Sequence, residues 1–115
     1  MMNMLEDEKA RWILSPGHKK ARNEYALSGI YRGQLVNVIL DRTFIDGDGV
    51  CWVVDYKSSR HEGGDVEQFL DQQQSRYSEQ LEKYGHLVRA MENKPVRLGL
   101  YFPLMKGWRE WAAKD

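Results

Sequence analysis

The sequence has one cysteine, Cys51, in 115 residues. No disulfide can form within the chain, and a lone thiol suits the reducing cytoplasm. There is no excess of either charge: 17 Lys and Arg stand against 17 Asp and Glu. That excludes a histone-like or ribosomal basic coat as the main source of affinity for any partner. No apolar run approaches the ~18 residues a spanning helix needs, and the mean hydropathy is -0.67. The opening stretch, MMNMLEDEKARW, is acidic and interrupted by charge, unlike a signal or transit peptide. Repeats and low-complexity tracts are also lacking. What is present is a 42 % apolar share and an 11 % aromatic share, too rich for a disordered chain. The length is that of one domain able to bury its own core. The expectation is a single domain over residues 1–115, soluble and cytoplasmic, with no membrane association.

Hydrophobic spacing predicts a first helix over Leu5–Leu14, through Leu5, Lys9, Trp12 and Ile13, with Glu6, Asp7 and Glu8 in its first turn. Ser15-Pro16-Gly17 stops it, and His18–Asn23 reads as a basic, polar connection. Three segments of strand character follow: Tyr25–Arg32, Leu35–Ile45 and Val50–Lys57. The last two flank Asp46-Gly47-Asp48-Gly49, a hairpin signal with two Asp-Gly steps. After a loop over Ser58–Gly64, the pattern turns helical from Asp65, a natural N-cap, to about Met91. A helix that long would run ~40 Å, so a bend or break within it is expected. Asn93-Lys94-Pro95 ends it. Val96–Phe102 reads as the last strand, and the tail with Trp108 and Trp111 as a cover over one core edge. The order helix, three strands, helix, strand gives an α/β (α+β) fold: a mixed sheet of about four strands, a long crossover helix and an N-terminal helix.

The hairpin carries the chemistry. With the loop centred on Asp48, Ile45 pairs with Cys51, Thr43 with Val53 and Asp41 with Asp55. Side chains two apart point the same way, so Asp41, Asp55 and Lys57 share one face. Directly opposed residues have Cβ atoms ~5 Å apart, and two carboxylates that close repel. A shared proton or a bound divalent cation relieves the repulsion. With an ammonium alongside, the cation is the better answer, and Asp…Asp-x-Lys is the arrangement by which nucleases polarise a phosphodiester. The bland alternative is ordinary surface chemistry at a strand end, and a register shifted by one residue would separate the two carboxylates. On the long helix, Gln80 and Tyr84 lie four apart on one face. They read either as reaching this site or as a satisfied half-buried Gln and an amphipathic core Tyr.

These residues resemble a known family. Leu40-Asp41-Arg42, then Trp52-Val53-Val54-Asp55-Tyr56-Lys57-Ser58, then Gln80-Leu81-Glu82-Lys83-Tyr84 are similar to the RecB-type nuclease domain. That domain closes UvrD-like helicases such as RecB and AddA, the ATP-dependent exonuclease (exonuclease V) class, and belongs to the PD-(D/E)xK, restriction-endonuclease-like superfamily. The resemblance spans about Glu24 to Trp111 and includes the ending Leu100-Tyr101-Phe102-Pro103-Leu104…Gly107-Trp108. It implies a restriction-endonuclease-like core and Mg²⁺ or Mn²⁺ held by Asp41 and Asp55. The Tyr56 backbone carbonyl would be a further ligand and Glu24 a looser candidate. It implies Lys57 as catalytic lysine, with Gln80 and Tyr84 as the helix pair that contacts DNA and steadies the site. It further implies a DNA repair or recombination exonuclease acting on single strands fed by a UvrD-like helicase. The chain departs from the family pattern in three ways. Leu40 stands where the motif has Pro before the first Asp. Members carry a metal-ligating His on an upstream helix, whereas Leu5–Leu14 has none and His18 reads as a solvated loop residue. A Walker A motif is also missing. The expectation is a C-terminal piece of a larger helicase-nuclease or a small free-standing remnant. The alternative is a non-catalytic DNA-docking or protein-interaction module that kept the fold; a sequence-specific restriction enzyme is disfavoured.

Lys19, Lys20 and Arg22, joined by Arg32, Arg42 and Arg60, read either as phosphate contacts along a DNA path or as a solvated mixed surface. Cys51 reads as a packed thiol. Trp12, Trp108 and Trp111 read as core or interface residues rather than base-stacking platforms.

Overall fold

A computed structural model describes residues 7–61 and 63–114. Helix α1 covers Glu8–Ile13, with Asp7 as its N-cap accepting from the amides of Lys9 and Ala10. The cap satisfies amides that a helix start leaves without partners. Leu5 and Glu6, assigned to this helix from the sequence, lie outside the described residues, as does Glu62 of the later loop.

Strands β1 (Lys19–Tyr31), β2 (Gln34–Ile45), β3 (Cys51–Tyr56), β4 (Val96–Phe102) and β5 (Gly107–Ala112) form one mixed sheet in the order β1-β2-β3-β4-β5. Neighbours are antiparallel except β3 and β4, which are parallel. Helix α2 (Val66–Glu92) makes the crossover between those two, the connection a parallel pair needs. Among the described residues no helix is long and apolar enough to cross a membrane.

Three expectations are corrected. The sheet has five strands rather than four, because Gly107–Ala112 alternates between the sheet's faces. Trp108 joins the aromatic layer on one face and Trp111 packs against the α2 layer on the other. The basic segment after His18 is strand, not connection: β1 begins at Lys19 and pairs along β2 from Ile45 to Gln34. Finally, α2 has no break. Its 27 residues run from the Asp65 cap to Asn93, which turns into the left-handed region at φ 53 and closes the helix. The sheet supports the helix along its length, from Leu70 at one end to Val88 at the other.

Two turns set the registers. Arg32 and Gly33, at φ 51 and 79, close the β1–β2 hairpin as a two-residue turn with both φ values positive. In the β2–β3 turn, the Asp46 carboxylate accepts from the amides of Asp48 and Val50 and from Trp52 Nε1. The resulting pairs, Ile45 with Cys51 and Thr43 with Val53, are those expected from the sequence.

The core lies on both faces of the sheet. Toward α2, Leu81, Leu98, Leu100 and Phe102 are wholly buried, each stabilising by roughly 1.5–3 kcal/mol. Toward α1, Ala10 and Ile13 cover Phe44, Trp52, Val54 and Tyr101, and the Tyr101 hydroxyl donates to Asp7. Leu40 and Ile45 both pack in the α2 layer, although residues five apart on a regular strand face opposite ways. Alternation is therefore broken once between them. Across the ladder, Glu24, flanked by the pairs of Asn23 with Arg42 and Tyr25 with Leu40, has φ 47. The strands thus change phase at Glu24 and Asp41.

Gly99 on β4 supplies the room for Trp108 of the neighbouring strand: a Cβ built there overlaps the indole's outer ring. That ring is hemmed in by Trp12, Trp52 and Tyr101, so it has no easy way to yield. Gly99→Ala is expected to cost about 1–3 kcal/mol in urea unfolding. Gly47→Ala, facing open space, should change stability by less than about 0.5 kcal/mol.

Candidate active site

The site sits where the sheet divides. β2 pairs with β3 only from Ile45 to Arg42, then leaves it and continues with β1 alone. At the parting, the amide of Tyr56 has no strand carbonyl opposite it. The Asp41 carboxylate fills that place, accepting from Tyr56 N at 2.8 Å through Oδ2. On the other edge of β3, Lys57 N donates to the carbonyl of Tyr101. The end of β3 is thus held from both sides, with a backbone bond on the right and a carboxylate on the left standing in for one.

This arrangement brings the Asp41 and Asp55 side chains together, although the expected ladder pair of the two residues does not form: β2–β3 pairing stops at Arg42 with Val54. Asp55 is 8 % exposed. Its Oδ2 lies 2.8 Å from Lys57 Nζ in an ion pair, and no backbone amide or neutral side chain donates to that buried oxygen. Burial pushes the Asp55 carboxyl up to about 6. The Lys57 ammonium opposes the rise, and the adjoining Asp41 carboxylate adds to it. Two carboxylates against one ammonium leave the cluster one negative charge in excess at neutral pH.

Helix α2 covers the cluster with one stripe. Tyr84 is 8 % exposed and accepts from Gln80 Nε2 at 2.6 Å. Burial raises the Tyr84 phenol, the Gln80 bond offsets part of that, and the charges of Asp55, Lys57 and Asp41 all act on it. The predicted pair therefore belongs to the same neighbourhood as the carboxylates. Tyr77, one turn before Gln80, places its ring 3.7 Å (to the centroid) from Lys57 Nζ. In the sequence Tyr77 is set apart only by its spacing of three and seven from Gln80 and Tyr84, which puts it on their face of the helix.

Glu24 stands across from Asp41 in register but is exposed. Among the described residues no group of three Asp, Glu, His or Cys side chains has the spacing to hold a metal. The Tyr56 carbonyl belongs to the residue whose amide anchors Asp41. His18 is not a solvated loop residue: its ring stacks on Phe44 at 3.9 Å and its Nε2 lies 2.6 Å from the Trp12 carbonyl. Arg42 does not line an open path either. It is 6 % exposed and ties Ile13 O and Asn23 Oδ1 together across the α1 layer. Cys51 is buried, and burial pushes its thiol up, as a packed thiol requires.

Asp55 holds its proton more tightly in the folded chain than in the unfolded one. Its contribution to stability is full below its ordinary value of 3.8 and is lost as pH rises through about 6. Asp55→Asn cannot ionise. Without divalent ions it is expected to melt above wild type at pH 7–8, with the gap closing as pH falls from about 6 toward 4, measured by thermal unfolding across that range.

No protein-family model matches the chain, and no curated protein matches it. Among solved structures it is similar to the crystal structure of SSO0001, at 17 % identity and a TM-score of 0.44, over 86 % of this chain and 44 % of that one. The chain thus spans less than half the length of that protein.

Proposed function

We propose that the chain is a metal-dependent DNA nuclease domain. The observation that carries this reading is the buried Asp55 carboxylate, whose Oδ2 is met by a single ammonium while a second carboxylate adjoins it. The donor set fits a hard divalent cation: two carboxylates with oxygens to spare are the usual protein contribution to Mg²⁺ or Mn²⁺. Asp41 and Asp55 would hold it, with the Tyr56 carbonyl adjacent. When bound, such an ion supplies Lewis acidity toward a phosphodiester.

The chain's own residues account for the rest. Asp41, fixed by the Tyr56 amide, keeps its carboxylate at a set place and orientation. Lys57 sets a positive charge where negative charge gathers on the phosphate as water attacks phosphorus and the bridging P–O bond breaks. The products are a phosphate monoester and a free hydroxyl. Tyr84, oriented by Gln80, presents a phenol beside the carboxylates to contact the strand being cut. The resemblance of these motifs to RecB-type domains supports two further parts of the proposal. The fold core is restriction-endonuclease-like, and a UvrD-like helicase, in the same or a partner chain in the cytoplasm, feeds single-stranded DNA to the site during repair or recombination.

The test is titration calorimetry with Mn²⁺ followed by degradation of single-stranded DNA. Wild type is expected to bind and cleave. Asp41→Ala and Asp55→Ala should lose binding, and their cleavage should fall by at least about a hundredfold. Lys57→Ala should keep binding but lose cleavage. A folded wild type that neither binds Mn²⁺ nor cuts DNA would replace this reading with that of a docking module.

A further inference from the structure

Lys57 follows the last residue of β3 and opens the loop to α2. A lysine there carries about 2 kcal/mol of rotamer freedom, and little of its own backbone restrains the head group. Two contacts hold the ammonium: Asp55 Oδ2 at 2.8 Å and the face of the Tyr77 ring at 3.7 Å from the centroid. The two differ in what happens when the site fills. A cation held by Asp55 would neutralise the carboxylate and repel the ammonium, weakening the ion pair where Lys57 is needed. The ring's negative face is unaffected. Tyr77 comes from the same helical stripe as Gln80 and Tyr84, and its ring is packed against the core. It is a fixed platform, contacted from farther off by the Arg76 guanidinium at 5.4 Å.

We propose that Tyr77 is a positioning residue, its ring anchoring the Lys57 ammonium at the site independently of Asp55. The inference rests on the nuclease reading for its consequence, but not for its geometry, and the test separates the two. In the metal-free chain, the Lys57 ε-methylene protons should resonate upfield of the other lysines because they lie over the ring. The shift should persist in Tyr77→Phe, which keeps the aromatic face, and be lost in Tyr77→Leu. In the cleavage assay, kcat of Tyr77→Leu should fall about tenfold, with KM for DNA and Mn²⁺ affinity held within about twofold. Tyr77→Phe should stay within about twofold of wild type throughout. Absence of the upfield shift in wild type, or full kcat in a Tyr77→Leu chain that has lost it, overturns the proposal. Loss of kcat in Tyr77→Phe equal to that in Tyr77→Leu also overturns it, since the hydroxyl rather than the ring would then matter. If wild type does not cleave, the nuclease reading falls. The spectra alone then decide: a shift lost only in Tyr77→Leu upholds the anchor, and no shift removes it.

Discussion

The hydrogen bond from the Tyr56 amide to the Asp41 carboxylate is the constraint on which the site depends. A sheet that divides must leave some backbone groups without a strand partner, and a buried amide left bare costs roughly 1–3 kcal/mol. Asp41 takes that amide with a side chain, which lets β2 swing away while β3 continues beside β4. The same bond fixes a charged oxygen pair next to Asp55. One interaction therefore closes a structural gap and assembles a chemical one, and neither β2 nor β3 alone would contain the site.

Electrostatics pull against this placement. Asp55 is shielded from water, faces a like charge and has one ammonium to offset both. Buried charge of this kind is kept at a cost to stability, which the two hydrophobic layers must cover. They do so at close range: Leu98, Leu100 and Val54 on β4 and β3 are wholly buried a residue or two from the carboxylates.

Much of this was legible in the residue order because a hairpin's register follows from its turn. Asp46-Gly47-Asp48-Gly49 centred the β2–β3 pairing, and counting from that centre put Asp41 beside Asp55; the side chains do meet, although the ladder itself ends one pair earlier, at Arg42 with Val54. Helix α2 was equally plain from its stripe and its Asp65 and Asn93 caps. What escaped had physical causes. Strand β5 carries Arg109 and Glu110 between two tryptophans, and on a six-residue edge strand such charges mask alternation. The start of β1 is basic because it is exposed, with Lys20 paired to Glu92 at 3.0 Å. Arg32-Gly33 is a weaker turn signal than Asn-Gly, since arginine is unusual at positive φ. The unbroken α2 reflects support by the whole sheet, a property of tertiary packing rather than of helical sequence. His18 and Arg42 were misjudged for the same reason: their partners, Phe44 and Ile13, lie across the α1 layer.

The phase change between Leu40 and Asp41 has a consequence for how this segment can vary. Upstream of it, Val36, Val38 and Leu40 turn toward α2; downstream, Thr43 and Ile45 do. The strand is out of step with itself by one place, and the acidic residue occupies the slipped tooth. Excising Asp41 itself would bring Leu40 into step with Thr43 and yield a straighter, more orthodox strand, but would take the carboxylate with it. Tidying the geometry and keeping the chemistry are mutually exclusive at this position.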